Sequence, residues 1–160
     1  IGAAIANNKS IICLNCDGGM MLNLQELQTV IHYNLPIKIF IFNNDGYLMI
    51  KHTQKALFKG RYVGVDKNSG VSCPDYKKLA IAFGFEVFSI KTWRDFHRVL
   101  PIIQNTNTPL ICEVFMHPEQ LFLPKLAAIR EADGSISSPK LEDLSPRLPP
   151  DQLIKNISKN

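Results

Sequence analysis

Long apolar runs are missing from this chain: no stretch approaches the eighteen uninterrupted apolar residues that a membrane-spanning helix needs. The amino terminus also lacks a basic segment followed by an apolar run and a cleavage site, so the cytoplasm is the expected compartment and no membrane partner is implied. An excess of one charge is missing too. The 18 basic and 14 acidic residues leave a net charge of +4 spread along the sequence, which gives no footprint for nucleic acid. The densest basic cluster, Lys51, His52, Lys55, Lys59 and Arg61, is expected to be a solvated helix face rather than a field that steers an anionic substrate. Metal-ligand spacing is absent among the four histidines, His32, His52, His97 and His117, none of which forms an i,i+4 pair. Of the four cysteines, Cys13 and Cys16 form a Cys-x-x-Cys pair, but Cys73 and Cys112 supply no second pair for a zinc site. Residues three apart on a strand also point to opposite faces, so buried free thiols in a reducing compartment are expected.

What remains is 46% hydrophobic and 20% charged over 160 residues, enough for one domain with an ample core. Helix and strand patterns alternate along it. The order is a helix end at residues 2–8, a strand over Ile11-Ile12-Cys13-Leu14, a helix from Met20 to Tyr33, a strand from Ile37 to Phe42, and a loop with a helix. Then come a helix over Asp75 to Phe83, a strand over Glu86 to Ile90, a helix from Trp93 to about Leu100, and a strand over Leu110 to Phe115. Such alternation predicts an α/β fold, a three-layer parallel sheet with helices on both faces. Met21, Leu24, Leu27, Val30 and Ile31 form the expected core stripe of the first long helix. Trp93, Phe96, Val99 and Leu100 do the same in the helix capped by Thr92, which Pro101 ends or kinks. Residues 60–74 read as a loop punctuated by Gly60, Gly64, Gly70 and Pro74, long enough to be functional.

Two short runs carry the chemistry. Cys16-Asp17-Gly18-Gly19 follows the first strand, Asn43-Asn44-Asp45-Gly46-Tyr47 follows the second, and Asn44 lies 27 positions after Asp17. A right-handed crossover makes the two strands parallel and brings both runs to the carboxyl end of the sheet, where ligands of open α/β sheets bind. A carboxylate and an amide carbonyl are hard oxygen donors suited to Mg²⁺, which completes its octahedron with phosphate oxygens and water. The glycines let backbone approach a phosphate, and a following helix start offers free N–H groups.

These runs resemble the carboxyl-terminal, diphosphate-binding domain of the thiamine-diphosphate-dependent enzymes, most of all the acetolactate synthase group, whose fingerprint opens on Gly-Asp-Gly and closes on Asn-Asn. The likeness extends through Asn23-Leu24-Gln25-Glu26-Leu27, Tyr33-Asn34-Leu35-Pro36-Ile37-Lys38-Ile39, Gly60-Arg61-Tyr62, Pro74-Asp75-Tyr76, Phe83-Gly84 and Glu113-Val114. It covers residues 1–123 as a cofactor domain and leaves 124–160 as a carboxyl-terminal arm. The resemblance implies that Asp17, the Asn44 side-chain oxygen and the Gly46 carbonyl bind Mg²⁺. It implies that Gly18 and Gly19 offer N–H to the diphosphate, and that Tyr47, Leu48 and Met49 lie along thiamine diphosphate. No catalytic residue is implied within this chain, because the family's activating glutamate comes from the pyrimidine-binding domain of a second subunit in a homodimer or homotetramer. Two departures stand out. Cys16 replaces the usual Gly and is expected to add bulk at a tight turn, and Gly19 replaces a common hydroxyl residue and removes a hydrogen bond.

The implied activity is that of a thiamine-diphosphate- and Mg²⁺-dependent 2-oxo acid decarboxylase or carboligase with a small-molecule 2-oxo acid substrate. Ile1-Gly2-Ala3-Ala4-Ile5-Ala6 resembles the helix that follows a further strand in that family, so the chain is expected to be amino-terminally truncated and inactive alone. Two alternatives stand beside this. One is a catalytically degenerate structural or regulatory subunit of the same superfamily, with Cys16 as its sign. The other is a non-catalytic phosphate- or nucleotide-binding module, against which the absence of Gly-x-Gly-x-x-Gly at the first turn speaks. The stretch from Pro118 on holds six of the ten prolines and is expected to be an extended arm that wraps the domain or a partner subunit. A turn at Asp133-Gly134-Ser135 and a short helix near Asp151 to Ile157 are expected within it.

Overall fold

Four parallel strands, β1 (Ile11–Cys16), β2 (Ile37–Asn43), β3 (Glu86–Ile90) and β4 (Leu110–Phe115), form a sheet in the order β1-β2-β4-β3. They belong to a computed structural model that describes residues 1–7 and 9–158, so Asn8, the last residue of the expected first helix, lies outside the described residues. The chain divides into two units, residues 1–52 with 62–120, and residues 53–61 with the chain from Leu121 on.

In the first unit, residues alternate between the faces of the sheet, and each face carries its own core. Ile37, Ile39, Ile41 and Ile111 pack with Ala4 of α1 (Gly2–Asn7), Leu27 and Val30 of α3 (Glu26–His32), and Tyr76 and Ala80 of α5 (Tyr76–Phe83). Phe40, Leu110, Cys112 and Ile90 face the other way, onto Val99 and Ile103 of α6 (Trp93–Asn105). The three-layer arrangement follows, because β2 is apolar on both sides and must be covered twice. Lys38 is the exception. It is buried, and its Nζ donates to the Gln104 carbonyl at 3.0 Å, placing a cation at the carboxyl end of α6 where free carbonyls collect.

The single helix expected from Met20 to Tyr33 is broken. A four-residue α2 (Asp17–Met20) is followed by turns and then by α3. The linking segment is held by bonds three residues apart, Leu22 N–H to Gly19 O at 3.2 Å, Glu26 N–H to Asn23 O at 3.1 Å and Leu27 N–H to Leu24 O at 3.1 Å. That tighter winding rotates the stripe, so Leu24 and Ile31 still meet the core while Met21 turns out to solvent.

In α6, Thr92 and Asp95 form the expected cap reciprocally, the Asp95 amide donating to Thr92 Oγ1 at 3.2 Å. Pro101 does not end the helix, which continues to Asn105. Val99 and Ile103 on either side of it are buried, and Pro101 and His97 are exposed, so the carbonyl that loses its partner lies on the water side. Trp93, expected in the core, is 77% exposed: it is the first helical residue and leans away from the sheet against Phe96 and His97.

The expectation of buried thiols holds only for Cys112. Cys16 is exposed, and Cys13 and Cys73 are intermediate. Burial, reinforced by the charge of Glu113, pushes the Cys112 thiol up to about 12. A raised thiol pKa favours the folded state fully below the ordinary thiol pKa, and that contribution fades as pH rises above it. Cys112 is therefore expected to resist an alkylating reagent at neutral pH until the protein unfolds; mass spectrometry of native and urea-treated samples checks this.

In the second unit, β5 (Ile129–Arg130) and β6 (Ile136–Ser137) pair antiparallel around the expected turn, where Gly134 adopts φ +86°. Lys125 and Ser145 form a bridge, Arg130 donates to the Leu57 carbonyl at 2.8 Å, and α7 (Pro150–Ile157) provides the expected terminal helix. Among the described residues no helix is long and apolar enough to cross a membrane.

Candidate cofactor site at the carboxyl edge of the sheet

Parallel pairing of β1 with β2 sets Cys16 opposite Phe42, so Asp17 and the Asn43–Tyr47 turn emerge side by side. Asp17 is fully buried. Its Oδ1 accepts the Gly18 N–H at 2.7 Å, and its Oδ2 accepts the N–H groups of Asn44 at 2.9 Å and Gly46 at 3.0 Å. One carboxylate thus ties the first helical turn to the second loop. The turn itself bends through Asp45 at φ +63° and Gly46 at φ +146°.

Glycine is required at two of these positions by close approach. A Cβ on Gly46 would lie 2.2 Å from the Val65 carbonyl oxygen, which accepts the Tyr47 N–H at 2.8 Å. A Cβ on Gly18 would lie 2.4 Å from the Tyr47 ring, so that ring packs directly on the Gly18 backbone. Leu48 opens α4 (Leu48–Leu57) and is buried, whereas Met49 is 56% exposed. Of the residues expected to contact the cofactor, Asp17, Gly18, Asn44, Gly46 and Tyr47 are brought into mutual contact, and Met49 presents its side chain to solvent.

Both departures from the family pattern are accommodated. Cys16 lies at φ −105°, ψ 163°, ordinary extended backbone, and its side chain is exposed, so the expected crowding does not arise. The Asn15 side chain occupies the space that a side chain at position 19 would take, its Oδ1 standing 2.7 Å from where the Gly19 Cβ would be. That same oxygen accepts the Cys16 N–H at 2.9 Å.

The donor set fits Mg²⁺. Asp17 is a buried carboxylate with no lysine, arginine or histidine pairing with it among the described residues. Its three hydrogen bonds leave Oδ1 with room for one more partner. Among the described residues no group of three or more His, Cys, Asp or Glu could hold a metal, so an ion here depends on phosphate and water oxygens to complete its shell, as Mg²⁺ commonly does. Gly46 O accepts from Asn44 Nδ2 at 2.8 Å and from the Leu48 N–H at 3.2 Å. Ligation through Asn44 and Gly46 would exchange the first of those bonds for the ion. The Gly18 N–H is likewise already engaged by Asp17.

Three residues in or beside the site were not expected from the sequence. Tyr76, fully buried, donates its hydroxyl to the Asp17 carbonyl at 2.5 Å. Burial, with Cys73, Asp17 and Glu113 adding to it, pushes that phenol far above its ordinary range, so it stays a donor at every physiological pH. Tyr76→Phe would leave the Asp17 carbonyl buried without its partner, a loss of about 1–2 kcal/mol that urea unfolding would measure. Lys51 does not belong to a solvated helix face: it pairs with Asp66 at 3.2 Å and sits 5.3 Å from the centre of the Tyr62 ring. Asp66 in turn caps the 3₁₀ turn Lys67–Ser69, accepting the Ser69 N–H at 3.0 Å. The segment that carries Val65 to Gly46 is thereby fastened. The third residue, Glu113, is treated below.

A parallel sheet with a buried carboxylate and a glycine-bearing turn at its carboxyl edge defines an α/β domain of the kind that binds ligands at that edge. Residues 1–114 match the family described as "Thiamine pyrophosphate enzyme, C-terminal TPP binding domain", and the chain belongs to that family. Thiamine diphosphate, the cofactor also called thiamine pyrophosphate, is therefore its ligand class. The chain is 35% identical over 128 residues to the acetolactate synthase large subunit of Cyanidium caldarium, covering 79% of this chain and 22% of that protein. It is 30% identical over 146 residues to the acetolactate synthase isozyme 2 large subunit of Escherichia coli (strain K12), covering 91% and 25%. Among solved structures it is similar to the thiamine diphosphate-dependent 4-hydroxybenzoylformate decarboxylase of Rhodococcus jostii RHA1, with a TM-score of 0.66, 26% identity and coverage of 75% and 22%. The chain thus spans about a quarter or less of the length of these relatives.

Proposed function

We propose that this chain is the diphosphate- and Mg²⁺-holding portion of a 2-oxo acid decarboxylase or carboligase of the acetolactate synthase kind. The observation that carries the proposal is the uncompensated carboxylate of Asp17, fully buried between a glycine-rich helix start and the Asn43–Tyr47 turn. Asp17 and Asn44 are assigned to the ion, with Gly46 O joining them when its bond from Asn44 is released. Gly19, a first-turn residue whose N–H has no partner within the helix, is assigned to the diphosphate, and Gly18 joins it when its N–H is released from Asp17 Oδ1. Tyr47, Leu48 and Met49 are assigned to the path towards the reacting carbon, where the exposed Met49 is the residue best placed to touch substrate.

When bound, thiamine diphosphate supplies the nucleophilic carbon that attacks a 2-oxo acid and lets CO₂ leave. The residues of this chain contribute position. Asp17 and the side-chain oxygen of Asn44 would fix where the ion and, through it, the phosphate oxygens sit, and the buried surroundings would keep those interactions strong. The group that activates the cofactor is assigned to the pyrimidine-binding domain of a second subunit, so the active form is a homodimer or homotetramer and this stretch alone is inactive. A reducing, cytoplasmic setting agrees with four free thiols. Incubation of the full-length protein with Mg²⁺, thiamine diphosphate and a panel of 2-oxo acids is expected to release CO₂ from at least one of them. A full-length protein that binds the cofactor yet releases none would leave a degenerate subunit instead.

A further inference from the structure

Glu113 is a carboxylate within an otherwise apolar strand, and it is 6% exposed. No cationic side chain pairs with it among the described residues. Its Oε1 instead accepts a hydrogen bond at 2.6 Å from Nδ2 of Asn43, the last residue of β2. An ionised carboxylate only accepts, so it takes the amide NH₂ and turns the Asn43 oxygen the other way. That oxygen accepts the Asp45 N–H at 2.9 Å. Together with Asp17 Oδ2 on the Asn44 and Gly46 amides and Val65 O on the Tyr47 amide, it gives each backbone N–H from Asn44 to Tyr47 a named acceptor. The turn passes through the left-handed region at Asp45, a conformation open to aspartate but to few other non-glycine residues, and those acceptors hold it there. Burying a carboxylate is costly unless it is partnered, and here the partner is the Asn43 amide at the head of the turn.

We infer that Glu113 is a positioning residue for the ion site: it fixes the Asn43 amide, whose oxygen holds the Asp45 N–H and with it the turn that presents Asn44 and Gly46. The inference rests on the proposed role of that turn in holding Mg²⁺ and diphosphate. It makes Asn43, the first of the two asparagines, an orienting group rather than a ligand, and it explains an acidic residue in a strand whose other residues are all apolar.

The test exchanges donor and acceptor across the contact in the full-length protein. Asn43→Asp sets two carboxylates against each other, and the Mg²⁺ affinity of the thiamine-diphosphate-saturated protein, read by calorimetry, is expected to fall about 10–100-fold. Adding Glu113→Gln restores a donor facing an acceptor, and affinity is expected to return to within about threefold of the parent. Hydrogen exchange at the Asp45 amide in cofactor-free protein should quicken in Asn43→Asp and slow again in the double variant. A merely space-filling Glu113 would show neither the rescue nor the exchange pattern. If the parent binds and Asn43→Asp binds as tightly, or the double variant is as weak as the single, the role of Glu113 is overturned while the proposed function stands. A parent that binds no Mg²⁺ with thiamine diphosphate removes the proposed function and the inference with it. Should Asn43→Asp not fold, Glu113→Ala takes its place, and unaltered Mg²⁺ affinity in that variant overturns the inference.

Discussion

Asp17→Asn in the full-length protein is expected to weaken Mg²⁺-dependent binding of thiamine diphosphate by more than about 100-fold, since loss of even an outer partner of a metal ligand costs 10–100-fold. The substitution is chosen to separate ion from fold. Asp17 holds three buried backbone N–H groups, so Asp17→Ala would strand all of them at about 1–3 kcal/mol each and confound loss of binding with loss of structure. An asparagine keeps one oxygen for the Asn44 and Gly46 amides, gives up only the Gly18 bond, and removes the negative charge. Stability measured with and without ligand exposes the difference. A hundredfold excess of ligand over its dissociation constant stabilises the parent by about 2.7 kcal/mol, and the variant is expected to gain almost nothing. Equal ligand-induced stabilisation of the two would exclude Asp17 as an ion ligand.

Gly46→Ala is expected to be the most damaging single methyl group in the site. Its Cβ would meet a backbone oxygen at 2.2 Å, at a φ of +146° that residues other than glycine avoid. The strained backbone alone costs about 1–3 kcal/mol. Relief of the clash must also move the Val65 carbonyl, which breaks its bond to the Tyr47 amide and pulls on the Lys51–Asp66 fastening. Unfolding in urea should show a loss of about 2–4 kcal/mol with Mg²⁺ affinity reduced in parallel. Gly18→Ala makes the informative contrast. Its clash is with the Tyr47 ring, the movable end of a side chain, so a smaller loss of stability is expected from it. If Gly46→Ala proved the milder of the two, the close approach of Val65 and Asp66 to the turn would be wrong.

The parts of this fold that were legible in the sequence are those where one physical signal dominates. The strands Glu86–Ile90 and Leu110–Phe115 have the expected bounds, because short runs rich in β-branched and aromatic residues between turn residues admit little else. Thr92 caps its helix as its side chain suggests, and the helix expected over Asp75 to Phe83 spans Tyr76–Phe83 with Asp75 as its cap. Where two signals competed, local pattern misled. The stripe from Met21 to Ile31 fits an α-helix, yet the glycines and Asn23 loosen the first half and the segment winds with bonds three residues apart. Pro101 was expected to end or kink the helix, and it does not end it, because buried Val99 and Ile103 outweigh the one hydrogen bond that proline removes. The meeting of Asp17, Gly18, Asn44 and Gly46 was legible because strand context brings the two runs together. Tyr76 was not, since its hydroxyl reaches Asp17 from a residue 59 positions away and nothing near it in sequence signals the contact. Glu113 left one trace, an isolated charge in an apolar strand, whose meaning appears only once Asn43 is seen opposite it.

The central claim, that Asp17 and the Asn43–Tyr47 turn hold an ion and a diphosphate, is tested most directly by calorimetric titration of thiamine diphosphate into the full-length protein, with Mg²⁺ and then with EDTA. Binding of the cofactor in Mg²⁺ that disappears in EDTA is the predicted result. Absence of binding under both conditions, or binding that EDTA leaves unchanged, would contradict the claim.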